Sequence, residues 1–224
     1  MAPYRLNLPA IETSLREVQR EFPKINEILQ SRRDAMTDEV VDNMLAGYRL
    51  VDRAIRQNED LLAPQHIHSL LELNHLVLCG AAPEVRQENR KHIEVTTQRF
   101  YYQQSFDIGA ILTWHEQHAH EAPWKRAAGV YVRILSQPQL YIEGNHRTGA
   151  LIMSYLMARD GKPPFVLTVD NAKAYFDPST LIKATKKTTG TLLAKLPRMK
   201  KRFAHFLQQQ ANEHYLCQSE CMAG

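Results

Sequence analysis

The segment from Gln139 to Gly149, QLYIEGNHRTG, concentrates residue types that could bind phosphate and a metal ion. Helical patterns flank it, so we expect a polar loop leading into a helix, where unpaired N–H groups and the helix dipole attract anions. Gly144 lets a ligand approach the backbone closely, and Glu143 offers an oxygen ligand for Mg²⁺. Arg147, in the first turn, is disfavoured by the dipole unless an anion lies before it. A capped turn with a surface Arg–Glu pair would have the same spacing, so both interpretations stay open.

This segment resembles the motif of the Fic (Fic/Doc) proteins, His-x-Phe-x-Asp/Glu-Gly-Asn-Gly-Arg-x-x-Arg. Tyr141 stands in the Phe position, and four residues match in unbroken register, namely Glu143, Gly144, Asn145 and Arg147. The resemblance covers residues 66–185. It implies a helical core whose motif loop binds ATP and Mg²⁺, and an activity that transfers AMP to a hydroxyl of a target protein.

The resemblance also implies roles for individual residues. Glu143 would hold the metal ion, and Arg147 would contact the phosphates and act with Gln139 in catalysis. The other phosphate-binding positions would be Gly144, Asn145, His146, Thr148 and Gly149. An upstream β-hairpin flap would bind an extended segment of the target protein by strand addition. The flap would contain Thr96, Thr97, Phe100 and Tyr101.

Three departures from the motif bear on catalysis. Gln139 replaces the His that takes the proton from the target hydroxyl, and an amide does not act as a general base near pH 7. His146 replaces the second Gly, either as a displaced base or as a structural or ligand-contacting residue. Ala150 replaces the second Arg, as in the Doc branch, whose members phosphorylate their targets. Two hypotheses follow: an adenylyltransferase-like enzyme, or a catalytically impaired nucleotide-binding or protein-interaction module.

A partial match to an inhibitory motif lies near the N-terminus. Many Fic proteins carry a helix with the pattern Ser/Thr-x-x-x-Glu-Gly/Asn, and Thr13 and Glu17 fit its first two positions. Val18 stands where Gly or Asn is required. Ser14 and Glu17 fit an ordinary helix capping box equally well, and we favour the cap.

Two further groups of residues could in principle bind a metal ion. His115, His118 and His120 lie close together in the sequence, but their spacing misses the zinc-protease pattern, so a solvated helix end is favoured. A second group, with no evident fourth ligand, consists of His214, Cys217 and Cys221. We expect Cys79 to be a small core residue.

Apolar spacing predicts one all-α domain with a small β element. The resemblance implies that this domain has a Fic-like helical core with a short β-hairpin flap and an N-terminal helical extension. We expect Pro23 to close the first helix, Thr37 to cap the second, Gly80 to end the helix of residues 66–79, and Pro178 to open another. The β-branched and aromatic residues of 95–102 predict a short hairpin. The expected divisions are residues 1–65, 66–185 and 186–224.

Composition indicates a globular protein, with 44% hydrophobic and 23% charged residues. No apolar run is long enough to span a membrane and no signal peptide is recognised, so we expect a cytoplasmic protein, with three Cys consistent with a reducing compartment.

Residues 178–212 carry eight Lys or Arg and no acidic residue. A solvated helix face is favoured over nucleic-acid binding, although a basic partner-binding surface at 183–202 is a third hypothesis. A homo-oligomer is compatible with the sequence.

Overall fold

The computed structural model describes residues 4–102 and 107–218, which are mostly helical, as the all-α prediction requires. The helices are α1 (Leu8–Ile28), α2 (Asp38–Arg56), α3 (Ile67–Cys79), α4 (Pro83–Glu88), α5 (Arg90–Tyr102), α6 (Ile108–Gln117), α7 (Pro123–Leu135), α8 (Asn145–Arg159), α9 (Ala172–Lys183) and α10 (Leu196–Gln209). Short helical turns occur at Pro64–His66, Thr191–Lys195 and Glu213–Tyr215. In the described ranges, no helix combines the length and apolar character needed to cross a membrane.

Helix α8 is the central helix, and every residue from 148 to 158 is buried. It packs against α7, α2 and α3, which surround it. A helix that is apolar on all sides is expected to be buried in this way. The helix reaches the protein surface at its start and at its last residue, Arg159. Because the rest of α8 is buried, the preceding loop presents residues at a fixed position relative to the core.

The two strands of the described chain are β1 (Tyr4–Leu6) and β2 (Leu216–Gln218), paired antiparallel with Leu6 opposite Leu216. Asp52 of α2 supports this pair, because its Oδ1 accepts a 2.7 Å hydrogen bond from the Leu6 N–H. The sheet thus joins the two ends of the described chain and lies outside the segment in which a hairpin was predicted.

The predicted β-hairpin flap is wrong, because residues 90–102 form helix α5. Thr96 and Phe100, one helical turn apart, are both fully buried. The Phe100 ring stacks on the Tyr141 ring, with centroids 5.6 Å apart and an interplanar angle of 13°. Burial on one helical face outweighs the strand preference of β-branched and aromatic residues, which depends strongly on context. Backbone groups already bonded within a helix do not accept an added strand.

Two prolines were predicted to mark helix boundaries and instead lie inside helices. Helix α1 continues past Pro23 to Ile28. Next to this proline, the Phe22 ring packs edge-on against the Phe176 ring, with centroids 6.3 Å apart. Helix α9 begins at Ala172, six residues before Pro178. An internal proline costs a backbone hydrogen bond, and tertiary packing of the apolar face compensates for that loss. The predicted boundaries at Thr37, whose hydroxyl accepts from the Val40 N–H, and at Gly80 are confirmed.

Candidate functional site

The loop before α8 is held together by the Asn145 side chain. Its Oδ1 accepts from the Tyr141 N–H at 3.0 Å, and its Nδ2 donates to the Tyr141 carbonyl at 2.9 Å. The Tyr141 hydroxyl in turn donates to the Leu70 carbonyl of α3 at 2.9 Å. The Asn145 amide, predicted to bind phosphate, is therefore occupied in fixing the loop, whereas its backbone remains at the helix start.

Gly144 adopts a left-handed conformation with φ of 71°. A Cβ at this position would lie 2.9 Å from Nδ2 of Asn74, which is too close. That Asn74 nitrogen donates to the Glu143 carbonyl and to the Thr148 hydroxyl, both at 2.9 Å. An L side chain would disfavour this backbone conformation, and the space that its Cβ would occupy is filled by Asn74. Position 144 therefore requires glycine.

The first turn of α8 contains backbone N–H groups that the hydrogen-bond ladder of the helix does not use. The Thr148 N–H donates to the Gly144 carbonyl at 2.9 Å and begins the hydrogen-bond ladder of the helix. The N–H groups of residues 145–147 precede that ladder, and such groups, together with the helix dipole, attract anions.

A cavity of about 460 Å³ opens in front of this turn. From the motif segment it is lined by Gln139 and by residues 142–147. Its opposite wall was not predicted from the sequence and consists of Phe22, Arg33, Asp34, Ala35, Met36, Val40, Phe176 and Lys183. Local sequence carries no signal for this wall, because Arg33 and His146 are 113 positions apart.

The Arg147 side chain lines the cavity and is half-buried. Its Nη1 donates to the Val77 carbonyl in the last turn of α3, at 2.6 Å. A cation is stabilised at a helix C-terminus. The protein itself thus explains an arginine at the start of α8, and the argument that only a bound anion could explain it is wrong. Burial lowers the pKa of Arg147, while Glu143, Glu39 and Asp34 act to raise it.

Both nitrogens of the His146 ring lie within hydrogen-bond distance of a neighbouring side chain. Nε2 lies 3.3 Å from Nη1 of Arg33, and Nδ1 lies 3.3 Å from the Tyr131 hydroxyl. Arginine only donates, so Nε2 is the acceptor and Nδ1 carries the proton. Burial, assisted by Arg33 and Lys183, lowers the pKa of His146 to about 3. A neutral imidazole with this pKa is poorly matched to proton abstraction near pH 7.

Gln139 and Glu143 lie at the cavity, as predicted. The Gln139 Nε2 donates to the Leu135 carbonyl at 3.2 Å, and Arg99 donates to the Gln139 carbonyl at 2.8 Å. The Glu143 side chain is exposed, so its carboxylate is accessible from solvent. Within residues 4–102 and 107–218, no group of three or more His, Cys, Asp or Glu is arranged to hold a metal ion by itself.

Several predicted site residues lie elsewhere. Thr148 and Gly149 are buried inside the helix packing and do not line the cavity. The proposed flap residues of α5 do not line it either. Thr13 and Glu17 border a different cavity, next to Asn171.

The capping box proposed for Ser14 and Glu17 is wrong. Ser14 lies inside α1, and its hydroxyl donates to the Leu167 carbonyl at 2.9 Å. Asn7 caps this helix instead, since its Oδ1 accepts from the Ala10 N–H.

The structure also places residues from the two histidine and cysteine groups that were considered as possible metal ligands. His118 stacks on the Trp114 ring, with centroids 4.1 Å apart. Cys79 is buried, as predicted. Cys221, the third member of the proposed C-terminal group, lies outside the described residues.

No protein-family model matches this chain. No curated protein matches it. The chain is similar to a Fic domain containing signaling protein from Bacteroides thetaiotaomicron, known from a crystal structure, with 13% sequence identity and a TM-score of 0.45. That similarity covers 90% of this chain and 94% of the other. At this level of similarity no inference about activity follows, and the proposals below rest on this chain's own residues.

Proposed function

We propose that the cavity before α8 binds ATP together with Mg²⁺. The observation that carries this proposal is the position of the cavity, which is lined by residues 144–147 at the start of α8 and by the cationic side chains of Arg33, Arg147 and Lys183. Its volume of about 460 Å³ lies in the range of small-molecule sites. The match of Glu143, Gly144, Asn145 and Arg147 to the Fic motif selects a nucleotide among phosphate-bearing ligands.

Glu143 is the residue proposed to hold Mg²⁺. Magnesium in nucleotide sites is often bound by one or two carboxylates, by phosphate oxygens and by water. One exposed carboxylate at the cavity therefore fits a metal ion that arrives with the nucleotide, and a preformed cluster of protein ligands is not needed. When bound, the ion would neutralise phosphate charge.

The reaction class proposed from the Fic motif is transfer of AMP to a hydroxyl of a target protein, in an impaired form. Gln139 orients a hydroxyl or water without taking its proton, and His146 is held neutral with both nitrogens engaged. Loss of a general base typically lowers a rate by about 10²–10⁴-fold. We therefore favour nucleotide binding with little or no transfer over an efficient transferase.

Binding is tested by calorimetry with ATP in the presence and absence of Mg²⁺. Glu143→Gln should leave binding of ATP alone nearly unchanged and remove the increase that Mg²⁺ gives. Glu94→Gln, in the exposed part of α5, is the matched control because Glu94 does not line the cavity. Absence of ATP binding by the folded wild-type protein would refute the proposal.

Transfer is tested by incubating labelled ATP and cell lysate with the wild-type protein and with Gln139→His. Labelling by the variant alone would indicate that the natural protein retains the site but lacks the base. Strong labelling by the wild-type protein would contradict the impaired form of the proposal. If neither protein labels a target, AMP transfer is rejected and ATP binding stands on the calorimetry alone.

A further inference from the structure

Arg33 reaches the cavity from the connection between α1 and α2 and is held in place there. Its Nη2 donates to the Thr180 hydroxyl at 2.7 Å, and its guanidinium lies 5.2 Å from the Phe176 ring centroid. Its backbone is fixed as well, because Asn26 accepts from the Arg33 N–H at 2.7 Å and donates to the Arg33 carbonyl at 2.8 Å. A cation that is held before a ligand arrives loses less entropy on binding.

Among the described residues, Arg33 and Lys183 form no ion pair, although the charge of Arg33 contributes to lowering the pKa of Asp177. No carboxylate in the described parts of the chain forms an ion pair with either residue. The Nε of Arg33 is buried and has no hydrogen-bond partner among the described residues. Arg33, Lys183 and His146 line the same cavity, and Nη1 of Arg33 lies 3.3 Å from Nε2 of His146. Besides burial, both cations lower the pKa of His146.

The Arg147 end of the cavity has the opposite character. Glu143, Glu39 and Asp34 all stabilise the charged form of Arg147, and Nη1 of Arg147 is engaged by the Val77 carbonyl. Among the residues that line the cavity, Arg33 and Lys183 are therefore the cations that act on His146, and Glu143 and Asp34 are the carboxylates that act on Arg147.

We infer that Arg33 and Lys183 together bind an anionic phosphate group of the ligand beside His146. This inference rests on the proposed function and adds an orientation, with that phosphate at the Arg33 end and the metal ion at the Glu143 end. The Fic motif has a second arginine where this chain has Ala150, and Ala150 is only 5% exposed within α8. Lys183 at the end of α9 and Arg33 in the connection between α1 and α2 thus supply the positive charge that the motif arginine would provide.

The test compares the ATP affinities of the wild-type chain, Arg33→Gln and Lys183→Gln. Each variant removes a charge-assisted contact, so each should weaken ATP binding about tenfold or more. Arg32→Gln and Lys186→Gln are matched controls, because both residues are exposed neighbours that do not line the cavity, and both should bind like the wild type.

The failure of this inference differs from failure of the proposed function. If the wild-type protein binds ATP and both cavity variants bind within twofold of it, the inference is wrong and the function stands. If the wild type does not bind ATP, both are wrong. Circular dichroism verifies folding, and should Arg33→Gln not fold, Arg33→Lys and Lys183→Gln decide, with Arg33→Lys retaining most of the affinity.

Discussion

The buried, neutral state of His146 makes a measurable prediction about stability at acidic pH. Its pKa in the folded protein is about 3, compared with an ordinary value of 6.5. The unfolded chain therefore binds the proton first as the pH falls. The contribution of His146 to stability is complete above pH 6.5 and is lost progressively as the pH falls toward 3.

The size of the effect at pH 5 follows from these two pKa values. In the unfolded chain the protonated form of His146 would exceed the neutral form about 30-fold, whereas the His146 side chain of the folded protein remains neutral. That difference corresponds to a loss of about 2 kcal/mol of unfolding free energy relative to pH 7. In His146→Gln this loss should be absent, because the side chain does not titrate.

Urea unfolding of the wild type and of His146→Gln, each at pH 7 and pH 5, provides the assay. Other groups that titrate on acidification, such as Glu72 with a pKa of about 2, are common to both proteins and cancel in the comparison. The wild type should lose about 2 kcal/mol more than the variant between the two pH values. Equal losses would refute the account of a neutral His146 held between Arg33 and Tyr131.

Two substitutions test the packing around the site through thermal or urea unfolding. Gly144→Ala should lose about 1–2 kcal/mol from its left-handed φ alone, with a further loss from contact with Asn74. Gly190→Ala, whose Cβ would meet no atom within 4 Å, should not lose stability. Equal behaviour of the two variants would contradict the requirement for glycine at position 144. Phe100→Ala should lose about 3–5 kcal/mol because the ring is fully buried, and Tyr102→Ala, at an 81% exposed residue, should lose little. A small loss at Phe100 would favour a mobile flap over helix α5.

Local sequence was sufficient where structure is determined by neighbouring residues. The cap at Thr37 and the end of α3 at Gly80 depend on contacts within a few positions, and the polar loop before α8 depends in part on the local contact between Asn145 and Tyr141. The glycine at 144 was also identified correctly as a special backbone position, although the amide of Asn74 that fills the space beside it is 70 positions away.

The predictions that failed depend on contacts between distant segments. Residues 95–102 have strand-forming types, yet Phe100 packs on Tyr141 and favours a helix. Pro23 would end an isolated helix, but the packing of Phe22 on Phe176 continues it. The partner of Arg147 at the end of α3 could not be inferred from the spacing of residues in the motif.

The opposite wall of the site illustrates the same limit. Arg33 has an ordinary surface-like sequence context between two helices, and only the folded arrangement brings it to His146 and Lys183. A motif search limited to residues 139–150 therefore misses three of the five charged residues that line the cavity, namely Arg33, Asp34 and Lys183.

The backbone amides at the start of α8 provide the most direct measurement of the central claim. In a ¹H–¹⁵N correlation experiment with added ATP and Mg²⁺, the amide resonances of Asn145, His146 and Arg147 should shift and saturate with a single dissociation constant, while Gly190 stays unchanged. Saturable binding that leaves these three amides unperturbed, or no binding at all, would contradict a phosphate site at this helix terminus.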